Sequence, residues 1–254
     1  MIFPTDVPVK IIMLGAGGTG AYAAPNIYRM LYALQRPSRF VICDGDIVEE
    51  KNLRRQNFAP FDLGENKAKV IAERYSLAFG METEYVPGFV EKLDELMELI
   101  KPKAWALDAD RPYKTTREMV ILIGAVDNNK SRKLCHEAFM KADDLIYIDS
   151  GNSEFSGQVV CGVRRGGRTV RKPVAAIFPE MLEETDKFPS ELSCAEAAQS
   201  APQSMAANIA AATAITMMLY NILADGENVA RQTDFSTKTV RMQSVRDKQR
   251  RKAA

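Results

Sequence analysis

Residues 10–22 read KIIMLGAGGTGAY, an apolar run that leads directly into closely spaced glycines. The apolar run is typical of a buried strand, and residues 19–34 continue with Tyr22, Ile27 and Leu31 at helical spacing. A strand, a glycine-rich turn and a helix in this order can receive a phosphate group on the backbone N–H groups at the helix N-terminus. The stretch therefore predicts a nucleotide-binding turn at the start of an α/β fold.

Strand and helix signals continue to alternate downstream of this turn. Apolar runs predict strands at 39–44, 82–86, 120–124 and 145–149, and helical periodicity predicts helices at 66–79, 93–100 and 130–140. This alternation implies right-handed crossovers between parallel strands. We therefore expect an α/β fold with a doubly wound, mainly parallel, Rossmann-like sheet.

The pattern changes after Gly151. Residues 155–163 and 169–177 read as two strands joined by a turn, with no helix between them. This arrangement predicts antiparallel strands at the C-terminal side of the sheet. Residues 103–118 show little periodicity and several charges, which favours an exposed insertion.

Length and composition favour one compact domain with three parts. These are a nucleotide-binding core at 1–163, a C-terminal part at 164–240 with a crossover loop and a small-residue helix, and a basic tail at 241–254. We expect the tail to be a frayed chain end. Residues 206–224 are uncharged and long enough to span a membrane, but their Ala, Asn and Thr content favours burial in a core or a dimer interface.

Charge and cysteine content narrow the class of protein. The formal net charge is +1, so no global field recruits nucleic acid or a membrane. The N-terminal residues show no export signal, which predicts a cytoplasmic protein.

Four cysteines without a CxxC pair indicate a reduced compartment and predict no zinc site. We expect Cys43, Cys135 and Cys161 to be core residues. Cys194 precedes a predicted helix, where a thiolate nucleophile is favoured, although a simple packing role stays open.

Polar residues after the second strand indicate which nucleotide is bound. Asp44 lies where a ribose-binding acid belongs, so an NAD-dependent oxidoreductase is one alternative. A nicotinamide cofactor does not require the polar cluster that follows, which consists of Asp46, Asn52, Arg54, Arg55, Gln56 and Lys67. A triphosphate that is displaced at its α-phosphorus needs such cations, and Asp127 after the 120–124 strand can hold Mg²⁺. Taken singly, these residues are more typical of a solvated surface or a helix cap, but their joint order after a glycine-rich turn favours a triphosphate site.

Five motifs together resemble the ThiF/MoeB/HesA family, whose fold also underlies the ubiquitin-activating enzymes. They are GAGGTG at 15–20, DGD at 44–46, NLRRQNF at 52–58, LGENKAKV at 63–70 and VDNNKSR at 126–132. The resemblance covers roughly residues 9–162, and more distal segments look most like the ThiF-type proteins of PRTRC systems. It implies an adenylyltransferase that uses MgATP to activate the C-terminal glycine of a ubiquitin-like or sulfur-carrier-like protein, and it implies a homodimer.

The resemblance also implies roles for individual residues. It assigns the phosphate turn to Gly15, Gly17, Gly18 and Gly20, the ribose to Asp44, the phosphates to Asn52, Arg55 and Lys67, and the metal to Asp127. It places Asp46, Gln56, Asn128 and Arg132 near the nucleotide and Cys194 where related enzymes carry a thioester-forming cysteine. We therefore expect ATP and Mg²⁺ as cofactors, and neither nucleic acid nor a membrane as a partner.

Two departures from the family keep alternatives open. The paired CxxC motifs of many members are missing, and so is an N-terminal helix whose arginine reaches the partner subunit's nucleotide; either another arginine substitutes or that contact is lost. A non-catalytic scaffold paired with an active homologue is one alternative. Adenylation of a small molecule, a peptide or a tRNA base is another. The sequence identifies neither the acceptor protein nor whether conjugation or sulfur transfer follows.

Overall fold

A computed structural model describes residues 1–106, 115–183, 186–191 and 203–247. The strands are β1 Val9–Leu14, β2 Ser38–Cys43, β3 Glu84–Val86, β4 Ala104–Ala106, β5 Thr115–Arg117, β6 Met119–Gly124, β7 Leu145–Asn152, β8 Ser156–Arg165, β9 Arg168–Arg171, β10 Ala230–Ser236 and β11 Arg241–Arg246. The helices are α1 Gly18–Leu34, α2 Lys67–Phe79, α3 Leu93–Leu99, α4 Asn129–Lys141 and α5 Met205–Leu223.

The central sheet has the order β11-β10-β8-β7-β6-β1-β2-β3, with β9 beside β8. The pairs from β3 to β7 are parallel, whereas β8, β9, β10 and β11 join in antiparallel register. This confirms the predicted fold class. The strand order reverses between β1 and β6, and in open α/β sheets a ligand binds outside the carboxyl ends of the strands at such a point.

Helices cover both faces of the sheet. Alternate residues of β1 point to opposite sides, so that Ile11 and Met13 join a core with α1, α2 and α5, while Ile12 and Leu14 join one with α3 and α4. Both faces of the parallel strands are therefore buried, which explains why these strands read as continuous apolar runs.

Helix α5 packs against α1 and the sheet. Within the part of the chain that the structure describes, it is the one helix with the length and mean hydropathy, 1.4, of a membrane span. However, 56% of that apolar window is buried inside the protein. Its many alanines allow close approach to α1, and the helix therefore belongs to the core, as its composition predicted.

The segment expected to be an exposed insertion, 103–118, contains β4 and β5, which lie outside the central sheet and are largely exposed. Strands β4 and β5 pair in antiparallel register. The buried carboxylate of Glu118 accepts hydrogen bonds from Trp105 Nε1, at 3.0 Å, and from the backbone N–H of Lys103, at 2.8 Å. These contacts join residues at opposite ends of the segment, so hydrophobic periodicity did not reveal them. Residues 107–114 lie outside the described ranges.

The C-terminal strands also differ from expectation. The strand predicted at 169–177 ends at Arg171, and a 3₁₀ turn at Val174–Ala176 follows Pro173, which has no N–H to donate to a neighbouring strand. The expectation of a frayed end at 241–254 is wrong for Arg241–Arg246, which forms β11. The buried Arg171 side chain is paired with Asp247, just beyond β11. Residues 248–254 lie outside the described ranges.

Candidate nucleotide-binding site

The glycine-rich turn lies between β1 and α1 and is closely packed on three sides. Gly15 has a φ of +97°, and a Cβ on it would collide with the carbonyl of Ala125. A Cβ on Gly20 would collide with the carbonyl of Gly15, and one on Gly18 would collide with the side chain of Asn208. Each of these three glycines is therefore required by a close approach rather than by the turn alone.

Gly17 lies at the open side of the turn. A Cβ there would meet nothing nearer than Gln56 Nε2, at 3.7 Å. Gly17 is also the N-cap of α1 and offers no capping side chain, and the first N–H groups of a helix have no partner within the helix. This side of the turn is suited to receive an anionic group.

Asp44 follows β2 and binds the turn directly. Its carboxylate accepts hydrogen bonds from the N–H of Ala16, at 2.6 Å, and from the N–H of Asp46, at 2.8 Å. Burial raises the pKa of Asp44 to about 6, although the nearby ammonium of Lys67 opposes this shift. Asp44, the residue that the sequence assigned to the ribose, thus lies against the glycine-rich turn.

Lys67 begins α2 and points into the same region. Its buried Nζ donates to Asp46 Oδ2 at 2.8 Å, and its N–H donates to the carbonyl of Asp46 at 2.9 Å. The Asp46 side chain is 54% exposed. The carboxylate that binds Lys67 is therefore accessible to water, and another anion can take its place on the lysine.

The polar segment after β2 folds back over the turn. The buried Asn52 accepts a hydrogen bond from the N–H of Glu49 through its Oδ1, at 2.9 Å, and so braces this segment. Arg55 donates from Nη1 to Gln203 Oε1 at 2.9 Å, and this contact reaches the residue just before the N-cap of α5.

Gln56 is only 6% exposed, and its Oε1 has no hydrogen-bond partner among the described residues. The group of Gln56 that lies nearest the open side of Gly17 is its amide Nε2, which can donate to an anionic ligand.

The predicted metal residue lies across the switch point. Asp127 is exposed in the turn between β6 and α4, two residues after Ala125, which packs against Gly15. Asn128 is the N-cap of α4 and accepts from the N–H of Ser131 at 2.8 Å. The described residues contain no group of three or more His, Cys, Asp or Glu side chains that could hold a metal. Mg²⁺ needs fewer protein ligands, since it commonly binds one or two carboxylates together with substrate phosphates.

Arg132 forms a second polar cluster at the end of β7. Its guanidinium donates to Asn129 Oδ1 and to the carbonyls of Val126 and Ser150 at 3.0–3.2 Å, and its Nε lies 3.5 Å from Asp149 Oδ1. Its donors are directed at protein acceptors, so in this structure Arg132 joins α4 to the ends of β6 and β7.

Asp149 is the buried anion of this cluster, and sequence reasoning missed it. Its side chain is 2% exposed, and Tyr147 donates its hydroxyl to Asp149 Oδ2 at 2.7 Å. Burial raises the pKa of Asp149, whereas Arg132 and Tyr147 lower it. Asp149 and Arg132 line a cavity of about 240 Å³ together with Gln158 and Phe178. The available signal was an aspartate that directly follows the apolar run at 145–148 within β7.

The cysteines divide into two groups. Cys43, Cys135 and Cys161 are buried, as expected of core residues, and burial raises the pKa of both Cys43 and Cys135 to about 12. Cys194, the predicted nucleophile, lies outside the described residues.

The fold and this site define a class of protein: a doubly wound α/β domain in which a glycine-rich turn contacts a buried aspartate near the switch point of the sheet. The model of the ThiF family matches residues 8–254. The chain belongs to the ThiF family.

Solved structures show the same fold. PaaA, solved as its selenomethionine form, matches with a TM-score of 0.61 and 17% identity over 94% of this chain and 64% of that one. E. coli MccB, solved with AMPCPP and MccA, matches with a TM-score of 0.62 and 12% identity over 94% of this chain and 63% of MccB. MccB solved with ATP gives a TM-score of 0.58 at 15% identity. The chain thus spans less than two thirds of the length of these proteins. A search of curated protein sequences found no match.

Proposed function

We propose that this protein is an ATP-dependent adenylyltransferase that activates the C-terminal carboxylate of a ubiquitin-like or sulfur-carrier-like protein. The observation that carries the proposal is the contact of Asp44 with the phosphate turn beside the Lys67–Asp46 pair, at the switch point of a ThiF-family fold. MccB, which has the same fold, has been solved with ATP and with AMPCPP and MccA.

The residues of the site fit a nucleoside triphosphate. The turn leaves room at Gly17, and the nearest side-chain group there is the amide Nε2 of Gln56, a donor that suits a phosphate oxygen. Asp44 is placed to accept a hydrogen bond from a ribose hydroxyl once ionised. Lys67 can exchange the exposed carboxylate of Asp46 for a phosphate oxygen, because both are anionic acceptors of the same ammonium.

The proposed reaction needs electrostatic stabilisation more than proton transfer. A carboxylate oxygen of the acceptor attacks the α-phosphorus, and pyrophosphate leaves with the electron pair of the broken P–O bond. Lys67 and Arg55 would stabilise the charge that develops on the phosphates, and Asp127 would hold a Mg²⁺ that would supply further positive charge. A carboxylate is ionised at neutral pH, so no general base is needed.

We further propose that the protein is a homodimer that uses the outer face of α5. Four large apolar side chains, Met205, Ile209, Met217 and Tyr220, are exposed along this helix. A row of this kind on a helix that is otherwise buried indicates an association surface. Sedimentation at micromolar concentration would give a dimer mass for the native chain and a monomer mass for Ile209→Glu, if this face is the interface.

Cys194 would act after adenylation, as an acceptor of the acyl group in a cytoplasmic, reducing setting. Its thiolate would displace AMP from the acyl-adenylate to form a thioester. Cys194→Ala should then retain adenylation and lose the thiol-sensitive adduct, whereas Cys161→Ala should retain both. An undiminished adduct in Cys194→Ala would refute this role.

The experiment that tests the main proposal is nucleotide binding, with MgATP compared to NAD. We expect selective MgATP binding, which Lys67→Ala weakens about 10–100-fold, because a hydrogen bond to a charged group contributes roughly 1.5–3 kcal/mol. Lys69→Ala is the matched control, since its exposed Nζ is paired with Glu65 instead.

Pyrophosphate exchange then identifies the acceptor. Proteins that end in glycine are compared with the same proteins lacking that glycine, and only the intact ones should support exchange. Exchange that proceeds without a protein acceptor would indicate a small-molecule substrate. Preferential binding of NAD, or equal MgATP binding by Lys67→Ala, would refute the proposal.

A further inference from the structure

We propose that Asn208, on α5, is a positioning residue that holds Arg55 toward the triphosphate. This inference rests on the proposed function and adds to it a residue that none of the sequence motifs contains.

Asn208 is an amide in an apolar environment. It is 0% exposed and lies on α5 among alanines such as Ala207, Ala211 and Ala212. An alanine would serve the packing of such a helix equally well, whereas a buried amide costs free energy unless both of its ends are hydrogen-bonded. The presence of the amide therefore points to the groups that it binds.

Both ends of the Asn208 amide are paired. Its Nδ2 donates to the carbonyl of Arg55 at 3.1 Å, and its Oδ1 accepts from Asn152 Nδ2 at 3.0 Å. Thr19 at the start of α1 donates its hydroxyl to Asn152 Oδ1 at 3.3 Å. The connected groups belong to α1, the end of β7, α5 and the segment after β2.

Asn208 also touches the phosphate turn. Its side chain fills the space that a Cβ on Gly18 would need. The Asn208 side chain thus contacts the glycine-rich turn, which would receive phosphate. It also fixes the backbone of Arg55, whose guanidinium would face phosphate.

Arg55 is attached to the beginning of α5 at two points. Asn208 binds its carbonyl, and Gln203 Oε1 accepts from its guanidinium at 2.9 Å. A long, flexible arginine loses less entropy on binding a ligand when its backbone is already fixed. Loss of the Asn208 amide should therefore weaken contacts with the β- and γ-phosphates while contacts with the adenosine end persist.

The test compares the affinities of the full-length protein for MgATP and for AMP. We expect Asn208→Ala to raise the Kd for MgATP about tenfold, the effect of roughly one hydrogen bond, and to change the Kd for AMP less than about twofold. Asn208→Leu, which keeps the branched shape of the side chain but not the amide, should behave in the same way. Asn221→Leu on the same helix is the matched control and should change neither affinity. Thermal melting of each variant verifies folding.

A double-mutant cycle identifies Arg55 as the group through which Asn208 acts. In an Arg55→Ala background, Asn208→Ala should have no further effect on MgATP affinity. An equal loss of MgATP and AMP affinity, or a full Asn208 effect without Arg55, would overturn the inference and leave a purely structural role. Failure of the native protein to bind MgATP would instead refute the proposed function itself.

Discussion

Each of two corners of the sheet buries a carboxylate beside a cation, and the two cations differ in the partners that they bind. We call them the β2 corner, with Asp44, Asp46 and Lys67, and the β7 corner, with Tyr147, Asp149 and Arg132. At the end of β2, Asp44 is bound to the phosphate turn and Lys67 to Asp46. At the end of β7, Asp149 is bound to Tyr147 and Arg132. Burial raises the pKa of both aspartates. The charges are similar, but the partners available to the cations are not.

The accessibility of the partner separates a binding cation from a structural one. Lys67 is paired with Asp46, whose side chain is half exposed, so the partner keeps much of its hydration if the lysine turns to another anion. Arg132 is only 16% exposed, its hydrogen-bond acceptors are backbone carbonyls and Asn129, and the buried Asp149 forms an ion pair with it. The β2 corner is therefore suited to ligand exchange, and the β7 corner to holding two strands and a helix together.

The largest effect that tests this comparison is on stability. Arg132→Leu leaves Asp149 buried without its cation, and breaking a buried pair in this way costs about 3–5 kcal/mol. Lys67→Ala should cost about 1 kcal/mol, because its partner Asp46 stays hydrated. Urea denaturation of the two variants at pH 7 measures the difference in the free energy of unfolding.

A second substitution checks the cause of that loss. Adding Asp149→Asn to Arg132→Leu removes the unpaired charge and should restore part of the stability. Equal destabilisation by Arg132→Leu and Lys67→Ala would show that the two corners do not differ as proposed.

A smaller effect concerns pH. The pKa of Asp44 rises from 3.8 to about 6 on folding. Between these values the folded protein keeps a proton that the unfolded chain has lost, so the stability contributed by this group is fully present below about pH 4 and is lost as the pH rises through about 6. The change amounts to roughly 3 kcal/mol, at 1.36 kcal/mol per pKa unit.

Asp44→Asn isolates this contribution, because an amide does not titrate. The free energy of unfolding of the variant relative to the native protein should shift in favour of the variant as the pH rises from about 4 to 7. Asp149, whose pKa burial also raises, titrates in both proteins and cancels in the difference. A difference that stays constant with pH would contradict the raised pKa of Asp44.

The parallel half of the fold could be predicted from sequence, whereas the last two strands could not. Residues 11–14 of β1 and 119–124 of β6 are continuously apolar because both faces are buried, and such runs are conspicuous. By contrast, β10 reads ARQTDFS and β11 reads RMQSVR. In both strands polar residues separate the apolar ones, so no apolar run marks them. Their strand structure depends on pairing with β8 and with each other, and on the contact of Arg171 with Asp247.

The residues of the candidate site divide in the same way, into those that the sequence predicted and those that it did not. The sequence by itself determined the glycine turn, Asp44 and Lys67, because each follows or begins an element that local periodicity identifies. Only the tertiary structure brought Asn208 to Arg55, 153 residues away, and to Asn152, 56 residues away. A buried amide in an alanine-rich helix has no pattern of its own. Its role is set by the groups that the folded chain places at hydrogen-bond distance from it.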